Sequence, residues 1–140
     1  MTDDVSIRRA TSEDLPRMLD LDPVKQRADD LERAVAGRNA RVALVSGRIV
    51  GFSVAGIFFG HDFLELLLVD PPYRRHGVGT ALVLDWEYAA RAPKLFTSTN
   101  ESNESMQRLC EAMGFVRSGV IQNLDEGDPE IVYFKPAPER

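Results

Sequence analysis

The run FLELLLVD at residues 63–70 is apolar on both parities of a strand, with Glu65 the one ionisable interruption before its terminal aspartate. A strand with one wet face alternates apolar and polar residues. One that is apolar on both sides has to be covered on both faces, and this places the run in the centre of a sheet. From there the chain passes through PPY into RRHGVGTALV at 74–83, where two arginines, a histidine and two glycines fall within six positions. Beyond the glycines, Val78, Ala81, Leu82, Trp86 and Ala89 recur at helical intervals until Pro93 ends the pattern. A buried strand, a glycine-arginine loop and a helix are thus joined without a spacer.

The flanking sequence supplies short elements in alternation. Val5 to Arg9 alternates as a strand, and Thr11 stands where it can cap a helix carrying Leu15, Met18, Leu19 and Leu21. Pro23 interrupts. A second helical stretch over 25–36 carries Ala28, Leu31 and Val35 at helical spacing before Gly37, and its polar composition predicts an exposed element. Residues 41–46 and 49–59 are β-rich on either side of a glycine turn and predict a hairpin. After the loop helix, residues 94–99 read as a strand, and Met106, Leu109, Cys110 and Met113 form the apolar stripe of a helix closed by Gly114. Two closing strands, FVRSGVIQN and EIVYFK, flank the acidic connection LDEGDPE. The expected order is β-α-α-β-β-β-α-β-α-β-β.

At 140 residues and 44% hydrophobic content, the chain predicts a single domain over 1–140 with a substantial core. The net charge of −5 argues against a general nucleic-acid binder, so any polyanion site has to be local. The N-terminus MTDDVSIRRA lacks the cations and apolar core of a signal peptide, and no run is long enough to span a bilayer. A cytoplasmic protein without membrane association is expected. One cysteine and two distant histidines leave no internal disulfide and predict no metal site.

A strand that runs through a glycine turn into a helix presents unpaired N–H groups and the helix dipole to an anion. Gly77 and Gly79 allow close backbone approach, while Arg74, Arg75 and His76 add positive charge at the rim. Two phosphate motifs are excluded. Leu82 stands where a dinucleotide fingerprint needs Gly or Ala, and the Gly-Lys-Ser/Thr of a P-loop is absent.

Arg74, Gly77 and Gly79 match the Arg/Gln-x-x-Gly-x-Gly/Ala loop that follows the fourth strand in the GNAT acyltransferase superfamily, which the chain resembles. A second signature of that superfamily is an Asn with an apolar residue three and six positions on, Tyr seven on and Gly-Phe eleven and twelve on. Asn103, Met106, Leu109, Gly114 and Phe115 fit it. The opening IRRATSEDL and the element order extend the resemblance over nearly the whole chain. The resemblance implies an α/β domain with a mixed, largely antiparallel sheet whose fourth and fifth strands splay apart. It implies that the freed backbone of Leu67, Leu68 and Val69 pairs with the pantetheine arm of acetyl-CoA as an added strand. The amides of Arg75, His76, Gly77, Val78, Gly79 and Thr80 would hold the pyrophosphate, and Asn103 and Met106 would border the pantetheine. Homodimers are common among such folds.

The implied reaction is acetyl transfer to an amine of a small molecule or peptide. It needs a neutral nucleophile, a polarised thioester carbonyl and a proton for the departing thiolate. Glu65 is the expected base: a carboxylate in an apolar strand, raised in pKa by burial, on the parity of Leu67 and Val69. His61 is a reserve, at the turn before the fourth strand. Where some members place a Glu five residues before the motif Asn, this chain has Ser98. Cys110 occupies the tyrosine position of the second signature, as a short thiol proton donor of ordinary pKa about 8.5 or as a packed apolar residue. Asp125, Glu126, Asp128 and Glu130 would draw a cationic acceptor, and Phe58, Phe59 and Phe63 would line its side. An acyl-CoA-binding module without turnover and an O-acyltransferase stay open as alternatives.

Overall fold

The computed structural model of the chain describes residues 4–139. Its main elements are β1 (Val5–Arg9), α1 (Leu15–Leu21), α2 (Ala28–Ala36), β2 (Ala40–Val45), β3 (Arg48–Phe58), β4 (His61–Val69), α3 (Val78–Ala89), β5 (Lys94–Asn100), α4 (Glu104–Ala112), β6 (Val116–Ile121) and β7 (Glu130–Pro136). The order is the one expected from the periodicities. Seven strands form one sheet in the order β1-β2-β3-β4-β5-β7-β6, antiparallel throughout except for the β4–β5 pair.

The two hairpins close through tight turns with positive φ at both central positions, Ser46 and Gly47 before β3 and Phe59 and Gly60 before β4. Thr11 caps a short 3-10 turn, Ser12–Asp14, rather than α1 itself, and the Thr11 amide donates to Asp14 Oδ2 at 2.7 Å. The Arg8 guanidinium grips the same carboxylate through both oxygens at 2.7 and 2.9 Å, joining β1 to the start of α1.

Helices cover both faces, as the composition of β4 requires. On one face α1 and α2 bring Met18, Leu31 and Val35 onto Val42 and Phe52. The expectation of an exposed second helix needs correcting: α2 is polar on its outer side but buries Leu31, Ala34 and Val35. On the opposite face α3 sets Val78 and Leu82 on Ala43, Val45 and Val50. Further along, Val83 and Trp86 of α3 and Cys110 of α4 pack with Leu64, Leu95, Ile131 and Tyr133. A partly buried pair crosses this layer: Lys135 Nζ donates to Glu87 Oε1 and to the Met113 carbonyl, each at 2.7 Å, and lies 5.5 Å from the Phe115 ring centroid. It ties β7 to α3 and to the end of α4.

Two irregularities of β4 position everything that follows. Its register against β3 passes from Val54↔Leu66 to Ala55↔Leu64, so Glu65 is an extra, bulged residue. Strict alternation therefore breaks: Leu64 and Leu67 both pack on the α3/α4 side, and Leu66 and Leu68 both pack on the α1/α2 side. The second irregularity is on the other edge. β4 pairs with β5 only at Asp62↔Leu95, Phe63↔Phe96 and Leu64↔Thr97. Past Leu64 the two strands separate, while β5 stays paired with β7 from Lys94 to Asn100. The expected splay is present, closed at one end where Asp62 Oδ2 accepts the Arg91 and Ala92 amides at 3.0 and 2.7 Å.

Candidate active site

The opening between β4 and β5 leads to the glycine-arginine loop. Leu67, Leu68 and Val69 lie on the freed edge of β4, whose outward N–H and C=O groups have no β5 partner. Pro71–Tyr73 forms a single 3-10 turn, and α3 begins at Val78 behind Gly77, whose φ of 82° is left-handed and suits a residue without Cβ. The first bond of the α3 ladder runs from the Ala81 amide to the Gly77 carbonyl at 3.0 Å, so the amides of Gly77, Val78, Gly79 and Thr80 lie outside the ladder at the helix start. Arg74, Arg75 and Thr80 are exposed there, and the His76 ring sits 5.9 Å from that of Tyr73. The Val78 side chain is buried in the core, which leaves its amide as the group available to an anion.

Gly79 marks the closest approach. A Cβ there would stand 3.2 Å from Leu109 Cδ2 of α4, with Val69 and Leu67 methyls at 3.9 and 4.0 Å, so α3, α4 and the freed edge converge at this glycine. On α4, Asn103 is the N-cap: its Oδ1 accepts the Met106 amide at 3.1 Å, and the side-chain NH2 is the part of Asn103 able to donate outward. Met106 and Leu109 line the α4 side, packed with Leu67. Cys110 is buried in the core behind α4. It is 2% exposed among Leu64, Trp86 and Tyr133, and burial, with Glu111 adding, pushes its thiol up to about 12.

Glu65 lies on the opposite side of the sheet from the one anticipated. The bulge turns it away from Leu67 and Val69 onto the α1/α2 face, where its side chain fills the space above Gly56. There desolvation, and secondarily the Asp30 carboxylate on α2, raises its pKa above the usual carboxylate value. His61 precedes the paired segment, at the closed end of the opening, with its ring 5.6 Å from that of Phe96.

The acids of the β6–β7 connection are largely engaged. Asp125 Oδ2 accepts from Asn100 Nδ2 at 2.8 Å, and Asp128 accepts the Ser102 amide and hydroxyl at 3.1 and 2.6 Å. Glu130 Oε2 accepts from Ser98 Oγ at 2.7 Å. An aromatic floor covers the same face, larger than the Phe58, Phe59 and Phe63 expected. Phe58 lies 5.2 Å from Phe63 and 5.7 Å from Phe96, which lies 5.4 Å from Phe134. Phe96 and Phe134 were detectable as the outward parity of two alternating strands, KLFTST and EIVYFK, directly paired in register.

A bulged central strand, a one-sided opening and an amide-rich loop at its mouth define an acyl-transfer architecture, and comparison with known proteins agrees. The chain belongs to the acetyltransferase (GNAT) family, whose model matches residues 6–115. Members of this family use acetyl-CoA. A GNAT-family acetyltransferase from Bacillus cereus ATCC 10987 is 33% identical and superposes with a TM-score of 0.89 over 97% of this chain and 99% of that one. The ribosomal-protein-S18-alanine N-acetyltransferase from Escherichia coli shares the fold at 19% identity, TM-score 0.79, over 98% of this chain and 96% of that one. Arabidopsis thaliana Naa50, solved with the bisubstrate analogue CoA-Ac-MVNAL, shares it at 21% identity, TM-score 0.76, over 94% and 97%. No curated protein matches the chain. Among the described residues no helix is long and apolar enough to cross a membrane, and no three His, Cys, Asp or Glu side chains form a metal-binding group.

Proposed function

We propose that the chain is an acetyl-CoA-dependent N-acetyltransferase that moves the acetyl group directly to the amine of a small molecule or peptide. The observation that carries this reading is the loss of β4–β5 pairing after Leu64, beside a helix start whose amides lie outside their own ladder. A β-edge takes an extended amide-containing arm as it would take a strand, and the amides of a helix start take a pyrophosphate. The residues present fit both demands. Leu67, Leu68 and Val69 supply the edge, Arg75, His76, Gly77, Val78, Gly79 and Thr80 supply the amides, and Arg74 and Arg75 supply exposed charge. Asn103 and Met106 border the arm from α4.

In this reading Glu65 takes a proton from the acceptor. Its raised pKa makes it a better base than an ordinary surface carboxylate, and its place at the bulge sets it at the start of the opening. Backbone amides near the bulge polarise the acetyl carbonyl. Cys110 is assigned to packing, because its thiol is buried in the core and burial holds it near 12. The thiolate then takes its proton from the nitrogen that displaces it. A binding module without turnover is the second reading, and the burial of Cys110 is what favours it.

Thiol release from acetyl-CoA, measured across a panel of amines with the Glu65→Gln variant alongside, separates the two. Transfer predicts amine-dependent release that the variant loses in large part. Tight acetyl-CoA binding with no release above the variant favours the binding module.

A further inference from the structure

Four phenylalanines from the adjacent strands β3, β4, β5 and β7 lie on the face of the sheet that carries Glu65. Val54 packs under α1 and α2, and Phe58, four residues on along β3, shares its parity. Phe63 stands in register with Gly56 and with Phe96, and Phe96 with Phe134. Their rings are within stacking distance, Phe58 5.2 Å from Phe63 and 5.7 Å from Phe96, and Phe96 5.4 Å from Phe134. All four are half-buried and outside the core clusters of the described residues, so this floor continues past the cover of the two helices. Glu65 lies at its edge: the carboxylate fills the space over Gly56, which is the register partner of Phe63 and two residues from Phe58.

Phe59 is the second observation. It takes the first central position of the turn Phe59–Gly60 with a φ of 49°, a left-handed backbone that Asn, Asp or Gly ordinarily fills and in which a bulky ring is an outlier. The ring is 86% exposed and stands edge-on against Phe58 at 4.8 Å. It adds strain to the turn and little burial to the core. A strained, exposed aromatic at the rim of an apolar floor has a use where a ligand covers both.

We infer that Phe59 and the floor of Phe58, Phe63, Phe96 and Phe134 form an acceptor subsite for the apolar, ring-sized substituent of a primary amine whose nitrogen meets Glu65. The inference deepens the transfer reading above and rests on it. A hydrocarbon group laid on the floor covers rings that otherwise face water, and Phe59 borders it from the turn. The carboxylate beside the floor meets the ammonium of the same molecule, so an amine with an apolar group a few bonds away satisfies both features. A polar amine satisfies only the carboxylate. The same chemistry is found in a free arylalkylamine and in the first residue of a peptide, and the choice of acceptors separates the two.

The test uses the whole chain with acetyl-CoA, follows thiol release, and compares 2-phenylethylamine with ethanolamine and a phenylalanine-led with a serine-led dipeptide amide. Wild type is expected to favour an aromatic amine over its polar counterpart by about tenfold or more in kcat/KM. A preference seen with 2-phenylethylamine assigns the subsite to small amines, and one confined to the dipeptides assigns it to a peptide's first residue; either supports the inference. Phe59→Asn is expected to raise the KM of the favoured amine about fivefold, with the acetyl-CoA KM within about twofold. The melting temperature of that variant should rise, because Asn suits the left-handed turn. Equal use of apolar and polar amines, or a favoured-amine KM unmoved in Phe59→Asn, overturns the inference and leaves the transfer reading intact. So does a melting temperature that falls while both KM values move together, the mark of a ring kept for folding. A wild-type dimer that Phe59→Asn dissociates at unchanged KM overturns it too, and gives this face to a second copy of the chain. Wild-type protein that releases no thiol with any of the four amines contradicts the transfer reading and this inference with it.

Discussion

The side chain of Glu65 occupies the volume that a Cβ on Gly56 would fill. The two residues belong to paired strands: Gly56 is in register with Phe63, and the bulged Glu65 reaches back over it into the space a side chain there would take. Gly56→Ala is therefore expected to expel Glu65 from its place. The backbone there is not left-handed, so the fold tolerates the methyl group. We expect kcat to fall by about tenfold or more, toward the Glu65→Gln level, with acetyl-CoA affinity retained. Steady-state kinetics beside acetyl-CoA titration checks this, and full activity in Gly56→Ala removes Glu65 from the mechanism.

A base has to be deprotonated to act, so Glu65 sets an acidic limb in the pH profile of kcat/KM. Desolvation and Asp30 raise its pKa, so that limb lies above the ordinary carboxylate range and disappears in Glu65→Gln. Stability carries the opposite sign from a salt-bridged acid. The folded state binds the proton more tightly than the unfolded chain does, so stability falls as pH rises from the ordinary carboxylate range through the raised value. Glu65→Gln is accordingly expected to be slightly more stable than wild type at neutral pH, with the difference vanishing in acid. Denaturant titrations at two pH values measure it.

Cys110→Ala is expected to keep acetyl transfer within about twofold while losing roughly 1–2 kcal/mol of stability, because a small buried side chain is truncated in a packed layer. A thiol reagent should react with Cys110 only after unfolding, given its burial and a pKa near 12. A large fall in kcat at unchanged KM would return Cys110 to the chemistry.

Lys135→Ala removes a cation paired with Glu87 and the donor that serves the Met113 carbonyl at the end of α4. Glu87 is 2% exposed, so the loss of this cation weakens the compensation of a buried carboxylate, and a fall in stability of roughly 1–3 kcal/mol is expected. Thermal melting should show a fall of several degrees, and an unchanged melting temperature contradicts the role given to the pair. Because α3 begins at the loop and ends near this lysine, acetyl-CoA affinity is also expected to weaken.

The architecture was legible from the periodicities. The two-sided apolarity of 63–70 required a central strand, and the alternating and helical runs around it reproduced the element order. The loop and the motif helix were legible from glycine, arginine and asparagine spacing. The chemistry of Glu65 was legible but its face was not, because alternation assumes an unbroken pleat and a single bulged residue reverses the parity beyond it. The pairing of Ser98 with Glu130 was illegible for another reason. It joins residues 32 positions apart across two strands, and local pattern carries no record of side-chain reach. The helical spacing of Leu31 and Val35 in α2 was legible, but its burial was not, because average polarity conceals an amphipathic face.

The central claim is that one substrate occupies both the freed edge of β4 and the start of α3. A crystal structure of the chain with coenzyme A tests it most directly. The pantetheine arm should hydrogen-bond to the backbone over Leu67, Leu68 and Val69, with the pyrophosphate on the amides of Gly77, Val78, Gly79 and Thr80 and the sulfur directed toward the bulge at Glu65. Coenzyme A bound elsewhere, or a β4–β5 opening refilled by the chain's own strands, would contradict the account.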